Sequence, residues 1–180
     1  MEKQSLQQLQ YPIGRYDPHE LITDEKKEAY LQTIEQVPQA IRLAVKDLTD
    51  EQLDTPYRPG GWTIRQVVHH LPDSHMNAYI RCKWAFTEDN PLIKAYYEDR
   101  WAETNEATGA EVEISLSLLE ALHTRWIRFL RSLSDEQLEK SFQHPQSGKT
   151  VSIRQMLGLY AWHGKHHLAH ITSLRERMGW

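Results

Sequence analysis

The chain has 180 residues, of which 39% are hydrophobic and 26% are charged, and this composition predicts one globular domain over residues 1–180. Its formal net charge is −4, with Lys and Arg scattered among acidic residues, which argues against nucleic acid as a partner. The polar start "MEKQSLQQLQ" and apolar runs of no more than about seven residues argue against a signal peptide or a membrane span, so we expect a cytoplasmic protein.

Four long amphipathic helices are predicted from apolar residues that recur every three or four positions. The first follows a start signal at Thr23, and its apolar stripe consists of Ile34, Val37, Ile41, Val45 and Leu48. The other three are predicted from about Thr63 to the middle eighties, from about Val112 to Leu133, and from Ser152 to about Arg177.

Two prolines fall inside these helices. Pro38 and Pro72 are expected to kink the first and second helix, because proline lacks the backbone N–H that a helix uses. No pattern typical of a β-strand or a β-hairpin turn is present in the sequence. An all-α fold is therefore predicted.

The chain repeats itself. "LTDEQLD" at 48–54 returns as "LSDEQLE" at 133–139, and "TIRQ" at 63–66 returns as "SIRQ" at 152–155. Each four-residue motif predicts a capping box, and each longer motif predicts a short turn capped by its hydroxyl residue. We therefore predict a four-helix bundle built from two repeated helical hairpins, joined by a long crossover over residues 87–110.

The fourth helix carries four of the ten histidines, in "AWHGKHHLAHI" at 161–171. At about 100° per residue, His167 lies about 40° and His163 about 80° from the centre of the apolar stripe, so both should face inward. His170 at about 100° and His166 at about 140° should lie on the flank, nearer to solvent. His163 and His167 are four residues apart, a spacing that allows both imidazoles to bind one divalent ion.

A third ligand is expected from the second helix, which carries "VVHHLPDSH" at 67–75. His75 lies at the centre of the apolar stripe, whereas His70 lies about 120° from it and His69 about 140° from it on the other side. From the residues alone, His70 and His75 both remain open as the third ligand. The alternative interpretation is that His75 is a hydrogen-bonded core histidine and that His69 and His70 are solvated.

At these residues the chain resembles a known family. It is similar to the DinB superfamily, and within it to the YfiT-like branch of metal-dependent hydrolases. The segments that carry the resemblance are "GGWTIRQVVHHLPDSHMNAYIR" at 60–81, "LGLYAWHGKHHLAHI" at 157–171, "YPIGRYDP" at 11–18 and the closing "RMGW". The resemblance implies His70, His163 and His167 as ligands of one zinc or nickel ion per chain. It also implies a four-helix bundle and a homodimer.

Three imidazoles leave an open coordination position, so a bound water would be acidified or a bound thiol deprotonated. Two activities follow: a zinc-dependent hydrolase that activates water and acts on a small molecule, and, as the alternative that the family implies, an S-transferase for a low-molecular-weight thiol of the bacillithiol type. A metal-binding module without turnover is the third hypothesis. Zinc is expected before nickel because of its availability in cells.

Other side chains receive smaller roles. Asp73, His166 and His170 are candidates to orient a ligand imidazole or to carry protons. The single cysteine, Cys82, cannot form an intrachain disulfide and lies on an apolar stripe, so no covalent intermediate is expected there. The HExxH pattern of zincin peptidases is not matched, because Gly164 stands where the glutamate would be.

Overall fold

A computed structural model describes residues 5–180, and residues 1–4, the first part of the polar N-terminal stretch, lie outside the described residues. In chain order the helices are α1 (Leu6–Gln10), α2 (Asp24–Val45), α3 (Asp50–Leu53), α4 (Ile64–Thr87), α5 (Glu98–Trp101), α6 (Asn105–Gly109), α7 (Val112–Arg131), α8 (Asp135–Leu138) and α9 (Ile153–Met178). Between α8 and α9 lie two strands, β1 (Ser141–Gln143) and β2 (Thr150–Ser152). The four predicted long helices are α2, α4, α7 and α9, and the prediction of a four-helix bundle is confirmed.

The long helices begin where the sequence predicts, because each start is a local motif. The hydroxyl of Thr23 accepts from the backbone N–H of Lys26 at the start of α2. Both capping boxes are present, with Thr63 and Gln66 opening α4, and Ser152 and Gln155 opening α9. Each box satisfies two backbone donors that a helix leaves unpaired at its N-terminus.

The repeat is also visible in three dimensions. The short helices α3 and α8 each open with a capping box, and the arginine of each "IRQ" motif reaches back to the acids of its own turn. Arg65 binds Asp50 and Asp54 at 2.7 and 2.6 Å, while Arg154 binds Asp135 at 3.1 Å and also Glu139. The same ion pairs therefore orient α4 and α9 relative to the turns that precede them.

Within the bundle, the pairing of helices differs from two hairpins of adjacent helices. The closest packing is of α2 with α9 and α7, and of α4 with α7 and α9, so the two long helices of each repeat lie diagonally across the bundle. His69 contacts Ser115 and His75 contacts His123, so α4 and α7 run parallel. Each long helix thus buries its apolar stripe mainly against helices of the other repeat.

The prediction that no strand is present is wrong in one place. β1 and β2 form a two-stranded antiparallel sheet, in which Phe142 pairs with Val151 and its side chain is buried. Three residues per strand are too few to show an alternating pattern in the sequence. The crossover between the repeats is not a plain loop either, since it contains α5 and α6.

None of the helices within residues 5–180 is long and apolar enough to cross a membrane.

Candidate metal centre

Three imidazoles meet in the seam between α4 and α9. His70 comes from α4, His163 and His167 come from α9, and one ring nitrogen of each lies within 4.8 Å of the others. The Nε2 atoms of His70 and His163 are 3.3 Å apart. Two donors that bind one zinc ion tetrahedrally at 2.0–2.1 Å lie about 3.3–3.4 Å apart, so this pair matches a shared cation. The residues present therefore fit a divalent metal ion.

The geometry separates the two candidates for the third position. His75 is fully buried between α4, α7 and α9, with one ring nitrogen 2.7 Å from His123 and the other 3.0 Å from His163. Both of its nitrogens are thus engaged, whereas His70 joins the HxxxH pair. A helical wheel identifies the most buried face of α4, where His75 lies, but the cluster forms in the seam between α4 and α9, which is why the wheel favoured His75.

The neighbouring His69 is not solvated, as one interpretation of the sequence had it. Its side chain is buried, with Nδ1 2.7 Å from the hydroxyl of Ser115 and Nε2 3.2 Å from the carbonyl of Ala110. It points away from the cluster and toward α7. Adjacent histidines on α4 therefore lie on different faces of that helix.

Electrostatics keep the three imidazoles neutral at neutral pH. Burial lowers the pKa of His70 to about 4, because a charged ring loses its hydration. Burial, and then the neighbouring imidazoles, hold the pKa of His163 and of His167 well below the ordinary value. A neutral imidazole keeps one unprotonated nitrogen, and that nitrogen is the form that binds a metal.

The cluster opens into a cavity of about 580 Å³. Its aromatic walls are Tyr11, Tyr57, Trp62, Tyr96 and Trp162. Polar groups converge on the same space, among them Arg58 on one side and Glu98 and Asp99 on the segment that joins the repeats. A concave cavity that combines aromatic walls with converging polar groups is typical of a small-molecule site.

The prediction that His166 and His170 lie nearer to solvent is wrong. Both are buried, because the chain around α1 covers this side of α9. Nε2 of His170 lies 3.1 Å from the carbonyl oxygen of Gln10, and the ring of His166 stacks on Trp162 with centroids 4.4 Å apart. Burial lowers the pKa of each to about 4.

Asp73 does not take the orienting role considered for it. Among the described residues its carboxylate has no hydrogen bond to an imidazole, and it does not line the cavity. Burial and the nearby Glu106 raise the pKa of this carboxyl group to about 6.

Sequence reasoning missed His123, which lies on α7 and is buried against His75. A signal was available, since His123 is four residues after Leu119 and three before Trp126 and so shares their inward stripe.

Sequence reasoning also missed why position 164 is a glycine. A Cβ there would lie 2.4 Å from Cγ2 of Val37, so α2 occupies the space that the glutamate of a zincin would need.

Comparison with known proteins gives consistent results. A family profile described as the DinB superfamily matches residues 33–171. Over 172 residues the chain is 51% identical to the "Putative metal-dependent hydrolase YfiT" of Bacillus subtilis (strain 168), covering 96% of this chain and 97% of that protein. It is 54% identical to a "Putative metal-dependent hydrolase" of Bacillus cereus (strain 03BB102), with 96% and 98% covered.

A solved structure is similar over the same length. It is YfiT from Bacillus subtilis, described as a probable metal-dependent hydrolase with an unusual four-helix bundle topology. The TM-score is 0.94 at 51% identity, and the match covers 96% of this chain and 99% of that one.

Proposed function

The chain belongs to the DinB superfamily, and from that premise we propose that it is a metal-dependent hydrolase in which His70, His163 and His167 bind one zinc ion per chain. The observation that carries the proposal is the meeting of three neutral imidazoles at the wall of an aromatic cavity. The names of the similar proteins support the same reaction class.

The donor set argues for a catalytic rather than a structural metal. A structural zinc site has four protein ligands, often cysteines, whereas the described residues offer three histidines here and Cys82 is buried elsewhere in the core. When bound to three histidines, zinc supplies the acidity that lets water act as a nucleophile near neutral pH.

The residues around the site have distinct tasks in this proposal. Trp62 and Trp162 form part of the cavity wall beside the imidazoles. Of the two histidines considered as proton carriers, His170 has both ring nitrogens engaged, by His167 and by the carbonyl of Gln10. His166 lines the same cavity and its Nδ1 has no partner among the described residues, so its ring is the one of the two not already committed to other groups.

The test is an activity assay with the zinc form against a panel of amides and esters of small acids, with and without a cellular thiol and an electrophile. Hydrolysis that stops when zinc is removed by a chelator and returns with zinc supports the proposal. Turnover only with thiol and electrophile would instead favour the thiol S-transferase. Turnover that survives complete removal of the metal would overturn both.

Metal identity, assembly and location belong to the same proposal. Elemental analysis of protein prepared without a nickel resin should find zinc in preference to nickel. Sedimentation at micromolar concentration should find a homodimer, and fractionation of cells should place the chain in the cytoplasm. Recovery of nickel, or a monomer, would correct that part of the proposal alone.

A further inference from the structure

A row of hydrogen-bonded imidazoles lies behind His163, on the side away from the cavity. Nδ1 of His163 is 3.0 Å from Nε2 of His75, and Nδ1 of His75 is 2.7 Å from Nε2 of His123. Nδ1 of His123 is 2.6 Å from the carbonyl oxygen of Ile34 on α2. The row therefore runs from the candidate ligand across the bundle to a backbone carbonyl.

The carbonyl at the end of this row determines which ring nitrogen of each histidine carries the proton. A carbonyl oxygen only accepts, so Nδ1 of His123 donates to Ile34, and a neutral His123 has an unprotonated Nε2. His75 must then donate from Nδ1 to that nitrogen, which leaves its own Nε2 as the acceptor for Nδ1–H of His163. His163 is thereby left with an unprotonated Nε2, the atom that faces His70.

A second, shorter row of hydrogen bonds starts at His167, and the same argument assigns its protons. Nε2 of His170 lies 3.1 Å from the carbonyl oxygen of Gln10, and Nδ1 of His170 lies 3.4 Å from Nδ1 of His167. His170 donates to the carbonyl and accepts from His167, so Nε2 of His167 is also unprotonated. His70 has no such row, since its hydrogen-bond partner among the described residues is His163 itself.

Both carbonyls are available because the local helix leaves them without a partner. In a helix the carbonyl of Ile34 would accept from the N–H of residue 38, but that residue is Pro38, which has none. Gln10 is the last residue of α1, and the final carbonyls of a helix have no helical donor. The proline inside α2 thus exposes the acceptor on which the first row ends.

We propose that His75, His123 and His170 are positioning residues that hold His163 and His167 in the Nδ1–H tautomer, so that both present an unprotonated Nε2 to the metal. The inference rests on the metal centre proposed above. A hydrogen bond to the second nitrogen of a ligand histidine fixes its tautomer and its ring orientation. Here that bond comes from other histidines, and each row is terminated by a carbonyl that only accepts.

The direct test is nitrogen NMR of metal-free protein labelled with ¹⁵N in histidine, which distinguishes the Nδ1–H from the Nε2–H tautomer. Signals are assigned by single substitutions of each histidine. His163, His75 and His123 should all show the Nδ1–H form, His167 should show it too, and His170 should show the Nε2–H form. Nε2–H tautomers at His163 and His167 would overturn the inference, and this readout needs no metal.

Variants test the consequence for metal binding. His75→Phe leaves Nδ1–H of His163 buried without an acceptor, so zinc affinity measured by competition with a chelating dye should fall by roughly 10–100-fold. His75→Gln should recover most of the loss, because its amide oxygen can accept. His69→Phe is the matched control, a buried histidine of α4 outside both rows, and should keep the wild-type affinity.

Pro38→Ala separates positioning from stability. Alanine restores an N–H that competes with His123 for the Ile34 carbonyl, so zinc affinity should fall several-fold while the helix itself becomes more stable. A folded His75→Phe with wild-type zinc affinity would overturn the inference. If the wild-type chain binds no zinc, the proposed function fails. The histidine tautomers measured by NMR then still test this inference on their own.

Discussion

Replacing Gly164 by alanine tests how closely α9 must approach α2 to hold its two candidate ligands. A Cβ at residue 164 would lie 2.4 Å from Cγ2 and 3.1 Å from Cγ1 of Val37. Non-bonded carbons are in favourable contact at about 3.5–4.0 Å, so the shorter distance is deficient by about 1 Å. Val37 is buried and β-branched, and its side chain is stiff in a helix, so α9 must move instead.

The expected change in the free energy of unfolding is the difference between two opposing effects. Overpacking a buried site costs about 1–3 kcal/mol, whereas Gly→Ala inside a helix gains about 1 kcal/mol. A clash this short against a stiff, buried side chain should place the cost near its upper end, so Gly164→Ala should lower the free energy of unfolding by about 1–2 kcal/mol. Because Gly164 directly follows His163, the displacement should also weaken zinc binding.

Urea unfolding of the metal-free protein measures the first effect, and dye competition measures the second. The matched control is the double variant Val37→Ala/Gly164→Ala, in which the space for the new methyl group is restored. The double-mutant cycle should show a favourable coupling of about 1–3 kcal/mol and a recovery of zinc affinity. A single variant about 1 kcal/mol more stable than the wild type would refute the reasoning, since it would mean that helix propensity alone decides.

Three further outcomes are expected. Elemental analysis should show that single alanine variants of His70, His163 and His167 have lost zinc, whereas the control His144→Ala should retain it. If His70→Ala retains zinc and His75→Ala loses it, our choice of the third ligand is wrong. Metal-free protein should lose stability as the pH falls from about 6.5 to 4, because burial lowers the pKa of His123 to about 4 and the unfolded chain takes up the proton first. Urea unfolding at several pH values measures this loss, and a flat profile would contradict it. Cys82→Ala should keep turnover, because burial raises the pKa of this thiol to about 12 and the side chain does not line the cavity. Loss of turnover in a folded Cys82→Ala variant would contradict this.

Much of the fold could be predicted because it depends on local motifs. A capping residue such as Thr63 acts within its own first turn, and the apolar stripe of each long helix records its buried face. The metal cluster was harder to predict, since which of His70 and His75 joins the HxxxH pair depends on which face of α4 meets α9. Only the resemblance to the family favoured His70.

Other features depend on which elements become neighbours, and no spacing in the sequence carries that information. The burial of His170 requires α1 to fold over α9, and its partner Gln10 is 160 residues away in the chain. The bond between His123 and the Ile34 carbonyl links α7 to α2. Pro38 appeared in the sequence only as an expected kink, because its effect on Ile34 matters only once a donor from another helix is present.

The diagonal arrangement of each repeat links the folding of the two halves of the chain. A fragment ending near residue 110 would contain α2 and α4 but neither α7 nor α9, against which both helices mainly pack. The packing between long helices therefore mainly joins residues far apart in sequence, which slows folding and leaves either fragment without the helices against which its own helices pack. Two such fragments should acquire helical structure only when mixed, and zinc binding should appear with that assembly, since His70 lies in one fragment and His163 and His167 in the other.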